Sequence, residues 1–125
     1  MTSSASIGGI RREGQVRFIF ACAMVLAAAA VQAHHAPSGF RYDAFCCNGD
    51  SETGDCQPIA SDTVGPAGNG YRIALEPGDH RLATRRHQFY VPQSKVLQSP
   101  DGRFHLCLFP NEDTVRCFYA PPMNF

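Results

Sequence analysis

Residues 104–119, FHLCLFPNEDTVRCFY, decide the fold. Phe104, Leu106 and Leu108 alternate with His105, Cys107 and Phe109, the period of two that sends successive side chains to opposite faces of a strand. Pro110-Asn111-Glu112-Asp113 interrupts this pattern with turn formers, and Thr114–Tyr119 resumes it with branched and aromatic residues until Ala120-Pro121-Pro122 stops the strand. The stretch therefore predicts a β-hairpin. A hairpin centred on Glu112 sets Cys107 across from Cys117 with their α-carbons about 5 Å apart, which is disulfide distance and predicts a Cys107–Cys117 bond. A hairpin centred between Asn111 and Glu112 sets Leu106 against Cys117 instead and turns Cys107 to the other face, because a slip of one residue exchanges the faces.

Upstream, short apolar runs are separated by Gly, Pro, Asn and Asp, as in strands joined by turns. Tyr71–Leu75 alternates after Gly68-Asn69-Gly70, and Glu76-Pro77-Gly78-Asp79 is a turn after which His80–Ala83 is expected to return as the partner strand. Phe89–Val91 reads as a further strand, Ser94–Gln98 as a helical turn, and Ser99-Pro100-Asp101-Gly102 as another corner. The predicted fold is mainly β: a small disulfide-stapled antiparallel sheet or partial barrel with long loops, following an N-terminal signal helix.

The N-terminal region carries Arg11, Arg12 and Arg17 and then runs apolar from Phe18 to Val31, ending in Val31-Gln32-Ala33. This is the pattern of a signal peptide cut before His34. The apolar run falls short of the roughly 20 residues that span a bilayer. The predicted organisation is a signal peptide over 1–33, a flexible leader over 34–39 (HHAPSG) and one small β-rich domain over 40–125. The expected location is periplasmic or secreted, with membrane contact only transiently through the signal peptide. From His34 onward, eight Arg and Lys face ten Asp and Glu. No basic field is available for nucleic acid, and Arg85-Arg86-His87 reads as a solvated cluster.

Five cysteines follow the predicted cleavage point: Cys46, Cys47, Cys56, Cys107 and Cys117. An exported chain keeps such residues oxidised. Bonding Cys46 or Cys47 to Cys56 closes a loop of about ten residues, worth on the order of 2 to 3 kcal/mol. One of the adjacent pair is then left over, to be buried, joined to a second chain as a disulfide-linked dimer, or activated as a nucleophile by His80 or His105.

Cleavage before His34 gives an α-amine and an imidazole on one residue, followed at once by His35. That nitrogen set suits copper(II), with His80, His87 or His105 as further donors. The cysteines lack the paired spacing of a zinc knuckle, and no catalytic motif is present. His80 and His105 are the remaining candidates for a ligand-facing surface. The composition points to a binding or structural module with no resident cofactor, the alternatives being a copper-binding protein and a thiol-dependent enzyme. It names no partner.

Taken together, YDAFCCNGDSETGDCQPI, GYRIALEPGDH, SPDGRFHLCLFP and RCFYAPPM resemble a family of small exported proteins of alphaproteobacteria and their phages. The shared pattern falls on Tyr42, Asp43, Cys46, Cys47, Asp55, Cys56, Pro58, Pro77, Gly78, Asp79, His80, His105, Leu106, Cys107 and Cys117–Pro122. The loop between Cys47 and Cys56 is longer than in that pattern. The resemblance implies export and the cysteine framework, and it carries no activity.

Overall fold

The computed structural model describes residues 34–47, 49 and 54–122, so the expected signal peptide at 1–33 lies outside the described residues. Seven strands are found among them: β1 (Cys56–Ile59), β2 (Val64–Ala67), β3 (Gly70–Leu75), β4 (His87–Pro92), β5 (Val96–Gln98), β6 (Phe104–Leu108) and β7 (Val115–Ala120). They form two sheets, one in the order β1-β6-β7-β5 and one in the order β2-β3-β4. The architecture is mainly β, as the alternation predicts. All pairings are antiparallel except β5 against β7.

The hairpin forms with Cys107 opposite Cys117, but a bulge follows at once and Leu108 faces Val115. Both candidate registers are thus present in one hairpin, joined by Arg116, which has no opposite residue. The bulge aims the Arg116 side chain outward, where Nε donates to the Phe45 carbonyl at 2.8 Å.

β6 is central, and its alternation divides the interior in two. Leu106 and Leu108 enter a core with Ile59, Ile73, Leu75, Val91 and Phe118, packed between the two sheets. Cys107 points the other way, into a second cluster with Tyr42, Cys46, Cys47, Cys56, Cys117 and Tyr119. The four-stranded sheet is therefore covered on both faces, by the three-stranded sheet on one and by residues 34–47 on the other. Because both faces of β6 are covered, His105, Leu106, Cys107 and Leu108 are all fully buried.

The disulfides correct the sequence expectation. Cys56 bonds Cys107 with α-carbons 4.0 Å apart, and Cys46 bonds Cys117 with α-carbons 5.5 Å apart. Cys107 does face Cys117, yet it is joined to its other neighbour. The reason lies in β1, which sequence patterning did not reveal. The Leu108 amide donates to the Asp55 carbonyl at 2.9 Å, which makes Cys56–Cys107 the non-hydrogen-bonded pair between β1 and β6. In such pairs side chains approach more closely than in hydrogen-bonded ones, which Cys107–Cys117 is. Cys117 is left to take Cys46 from the covering segment, and Cys47 is the free thiol.

Three local expectations also change. His80–Ala83 does not pair with β3, whose partners are β2 and β4; it forms a turn, with the Ala83 amide donating to the His80 carbonyl at 2.9 Å. Residues 94–98 divide into a 3-10 turn, Gln93–Lys95, and β5. Residues 34–39 are a folded turn and not a flexible leader: the Ala36 amide donates to the Phe40 carbonyl at 2.7 Å, and His34 and Ala36 are buried. Pro37 and Gly39, with φ +87°, reverse the chain here instead of loosening it.

Candidate functional site

The chemistry-bearing side chains gather where residues 34–47 cover β1, β6 and β7. Cys47 sits at the centre with 1% of its surface exposed. Its Sγ lies 2.7 Å from Nδ1 of His34, whose Nε2 donates to the Cys56 carbonyl at 3.0 Å. Nδ1 also lies 3.3 Å from the Gly49 carbonyl, so the ring sits between the thiol and two backbone carbonyls. The buried Asp55 carboxylate, with an oxygen within 4.8 Å of the sulfur, accepts a hydrogen bond from the thiol. Burial, and then the Asp55 charge, push the Cys47 thiol up to about 12. A reactive cysteine needs the opposite setting, an electropositive and partly open one.

The odd thiol thus has an imidazole beside it, but it belongs to His34 and to neither of the histidines expected to activate it. His80 is 0% exposed; its Nε2 faces the carbonyls of Asp55 and Leu106, each at 3.1 Å, and its Nδ1 accepts from the Leu82 amide. His105 is also 0% exposed, so neither side chain forms a ligand-facing surface. Burial lowers the pKa of both imidazoles.

His105 belongs to a second network. Its Nε2 donates to the Asp101 carboxylate at 2.9 Å, and its Nδ1 accepts from the Tyr42 hydroxyl at 2.8 Å. Asp101 also accepts from the hydroxyls of Ser38 and Ser99 and from the Arg103 amide. Burial opposes ionisation of Asp101, but these donors together hold its carboxyl well below the usual range. Burial, followed by the charges of Cys47 and Asp101, raises the Tyr42 phenol well above its ordinary value. The order Tyr–His–Asp superficially matches a catalytic relay. Here, however, the tyrosine is 1% exposed and keeps its proton, so the relay locks the covering segment onto β6. Tyr119 fastens the same segment by donating to the Asp43 carboxylate at 2.7 Å.

The histidines expected to share copper are not brought together. The His34 ring is turned inward, whereas His35 is exposed and its Nε2 accepts from Arg41 Nε at 3.4 Å. His87 lies on β4, 2.9 Å from a Glu112 carboxylate oxygen. Glu112, at the hairpin tip, also accepts from the Thr84 amide, the Thr84 hydroxyl and Arg85, while Arg86 pairs with Glu76. The basic cluster at 85–87 is thus countered by acidic residues.

A pocket of about 420 Å³ is lined by His34, His35, Tyr42, Cys56, Pro58 and Arg81, and Cys47 is not in its lining. On the outer surface, Phe45 and Tyr90 are the most exposed large hydrophobic side chains among the described residues. A cleft of about 150 Å³ lies beside Tyr90, with Lys95 and Arg116 in its lining. Comparison of the chain with protein-family models, curated proteins and solved structures gives no match.

Proposed function

We propose that the chain works outside the cytoplasm as a disulfide-stapled structural or binding module. The observation that carries this reading is how the two disulfides are placed: Cys46–Cys117 fastens the covering segment to β7, and Cys56–Cys107 fastens β1 to β6. Covalent ties of this kind persist in oxidising compartments and suit a domain of this size, whose apolar core is small. The internal hydrogen bonds of His80, His105, Tyr42 and Asp101 favour a module over a catalyst, since these side chains hold the fold together. The exposed aromatic rings of Phe45 and Tyr90, with Arg116 nearby, give a partner the residue types enriched at protein interfaces. The resemblance to exported proteins agrees with this assignment.

The test is to express the full chain in a bacterium, fractionate the cells and alkylate free thiols before and after unfolding. The module reading predicts protein in the extracytoplasmic fraction, with both disulfides present and one thiol that is labelled only after unfolding. Reduced protein in the cytoplasm, or rapid labelling of the folded form, contradicts it.

A further inference from the structure

We propose that the outer edge of β4, with the cleft between β4 and β7, is a docking site for an extended acidic segment of a partner protein; this names the partner of the binding module and rests on that reading. β4 ends the order β2-β3-β4, so β3 covers only one of its edges. The Gln93 amide donates to the Asn69 carbonyl at 2.8 Å, and alternation from that bonded pair makes Arg72–Tyr90 and Ala74–Gln88 non-hydrogen-bonded pairs. The N–H and C=O of Tyr90 and Gln88 therefore point away from β3, along the open edge. Pro92 has no N–H and closes the edge at its end. A second chain in extended form adds to an edge of this kind through main-chain hydrogen bonds.

The charges around this edge select the occupant. The cleft of about 150 Å³ has Tyr90, Val91 and Pro92 on its β4 side and Val115–Phe118 on its β7 side. β5 faces β7 only from Phe118 to Ala120, so it does not cover β7 at Val115–Cys117. Lys95 and Arg116 line the cleft, and no carboxylate does. Across the β3–β4 pair, exposed Arg72 stands directly opposite exposed Tyr90. None of Arg72, Lys95 and Arg116 has an ion-pair partner among the described residues, whereas Arg85 and Arg86 are each matched by a carboxylate. The bond from Arg116 Nε to the Phe45 carbonyl at 2.8 Å holds that guanidinium in place before a partner arrives. Three cations around an exposed aromatic ring complement a segment that carries Asp or Glu.

The other end of β4 sets the direction. There His87 lies 2.9 Å from a Glu112 oxygen and Asp113 pairs with Arg85, so that end already carries carboxylates. The acidic residues of the docked segment therefore belong at the Pro92 end. Side chains of an added strand alternate in direction, one set on the outer face with Tyr90 and Arg72 and the other turned in toward β7.

The experiment titrates the oxidised, isotope-labelled protein with a short capped peptide alternating Glu and Val, with its counterpart alternating Lys and Val, and with phosphatidylglycerol vesicles, following backbone amide signals by NMR. The expected result is saturable shifts at β4 and Val115–Cys117 with the Glu peptide alone, and slowed hydrogen exchange at the Tyr90 and Gln88 amides. Lys95→Glu should weaken binding by about tenfold or more, the loss of one charge-assisted hydrogen bond. Arg103→Gln, outside this edge, should leave it unchanged, and N-methylation of alternate peptide amides should abolish it. No shift with the Glu peptide, equal shifts with both peptides, or shifts that map away from β4 and β7 overturn the proposal, and none of these results needs a variant to fold. Concentration-dependent shifts without peptide assign the edge to a second copy of this chain, and binding to the vesicles alone assigns it to a membrane; either overturns the proposal as well. All of these failures leave the compartment and thiol-labelling results standing, and those alone decide the module reading.

Discussion

Tyr42 tests the account at the scale of single residues. Its hydroxyl is the donor to Nδ1 of a histidine with no solvent contact, so Tyr42→Phe leaves a buried acceptor without its partner. An unsatisfied buried group costs about 1 to 3 kcal/mol. The expected result is a loss of that size in urea denaturation with the disulfides retained, and an unchanged midpoint contradicts the role given to the relay. At this scale the sequence was least legible. His34 and Cys47 are 13 positions apart with no motif spacing, and nothing in HHAPSG announces that its first imidazole turns inward. The signal was Pro37 and Gly39, which mark a reversal of the chain as readily as a loose end. His105 was visible as a strand residue, but its burial depends on a covering segment that periodicity does not reveal.

The elements were more legible where alternation was long. The β6–β7 hairpin, β3 and β4 follow from period-two patterning, and the facing of Cys107 and Cys117 follows from the centre at Glu112. β1 did not: Cys56-Gln57-Pro58-Ile59 is four residues long and contains a proline, so it reads as the exit from a loop. Because β1 borders β6 on the side away from β7, missing it meant missing the partner of Cys107. The element scale also offers its own test at Gly70, where β3 meets β4. A β-carbon there would lie 2.2 Å from the Val91 carbonyl oxygen, a backbone atom that cannot step aside. Gly70→Ala should therefore part the β3–β4 pairing at that end and cost about 1 to 3 kcal/mol, the range for an overpacked site. Wild-type stability in chemical denaturation contradicts this close approach.

For the whole molecule, the covered sheet predicts sensitivity to acid. His80 and His105 have folded pKa values below the ordinary 6.5, so between those values and about pH 6.5 the unfolded chain binds more protons than the folded one. Stability therefore falls as pH drops through that window. Glu112 adds to the loss at lower pH: the Thr84 amide, then His87 and the Thr84 hydroxyl, hold its carboxyl at about 2 against an ordinary 4.5. Asp101, held low by its own donors, acts in the same direction. Urea midpoints should decline from pH 7 to 5 and more steeply below 4.5; a flat profile contradicts the buried neutral histidines. The central claim is that a segment ahead of the strands is stapled across a four-stranded sheet. It is tested most directly by proteolytic mapping of the oxidised, folded protein under non-reducing conditions, with mass spectrometry of the linked peptides. The account predicts Cys46–Cys117 and Cys56–Cys107 with Cys47 as the thiol. A Cys107–Cys117 link, with Cys56 joined to Cys46 or Cys47, would contradict it.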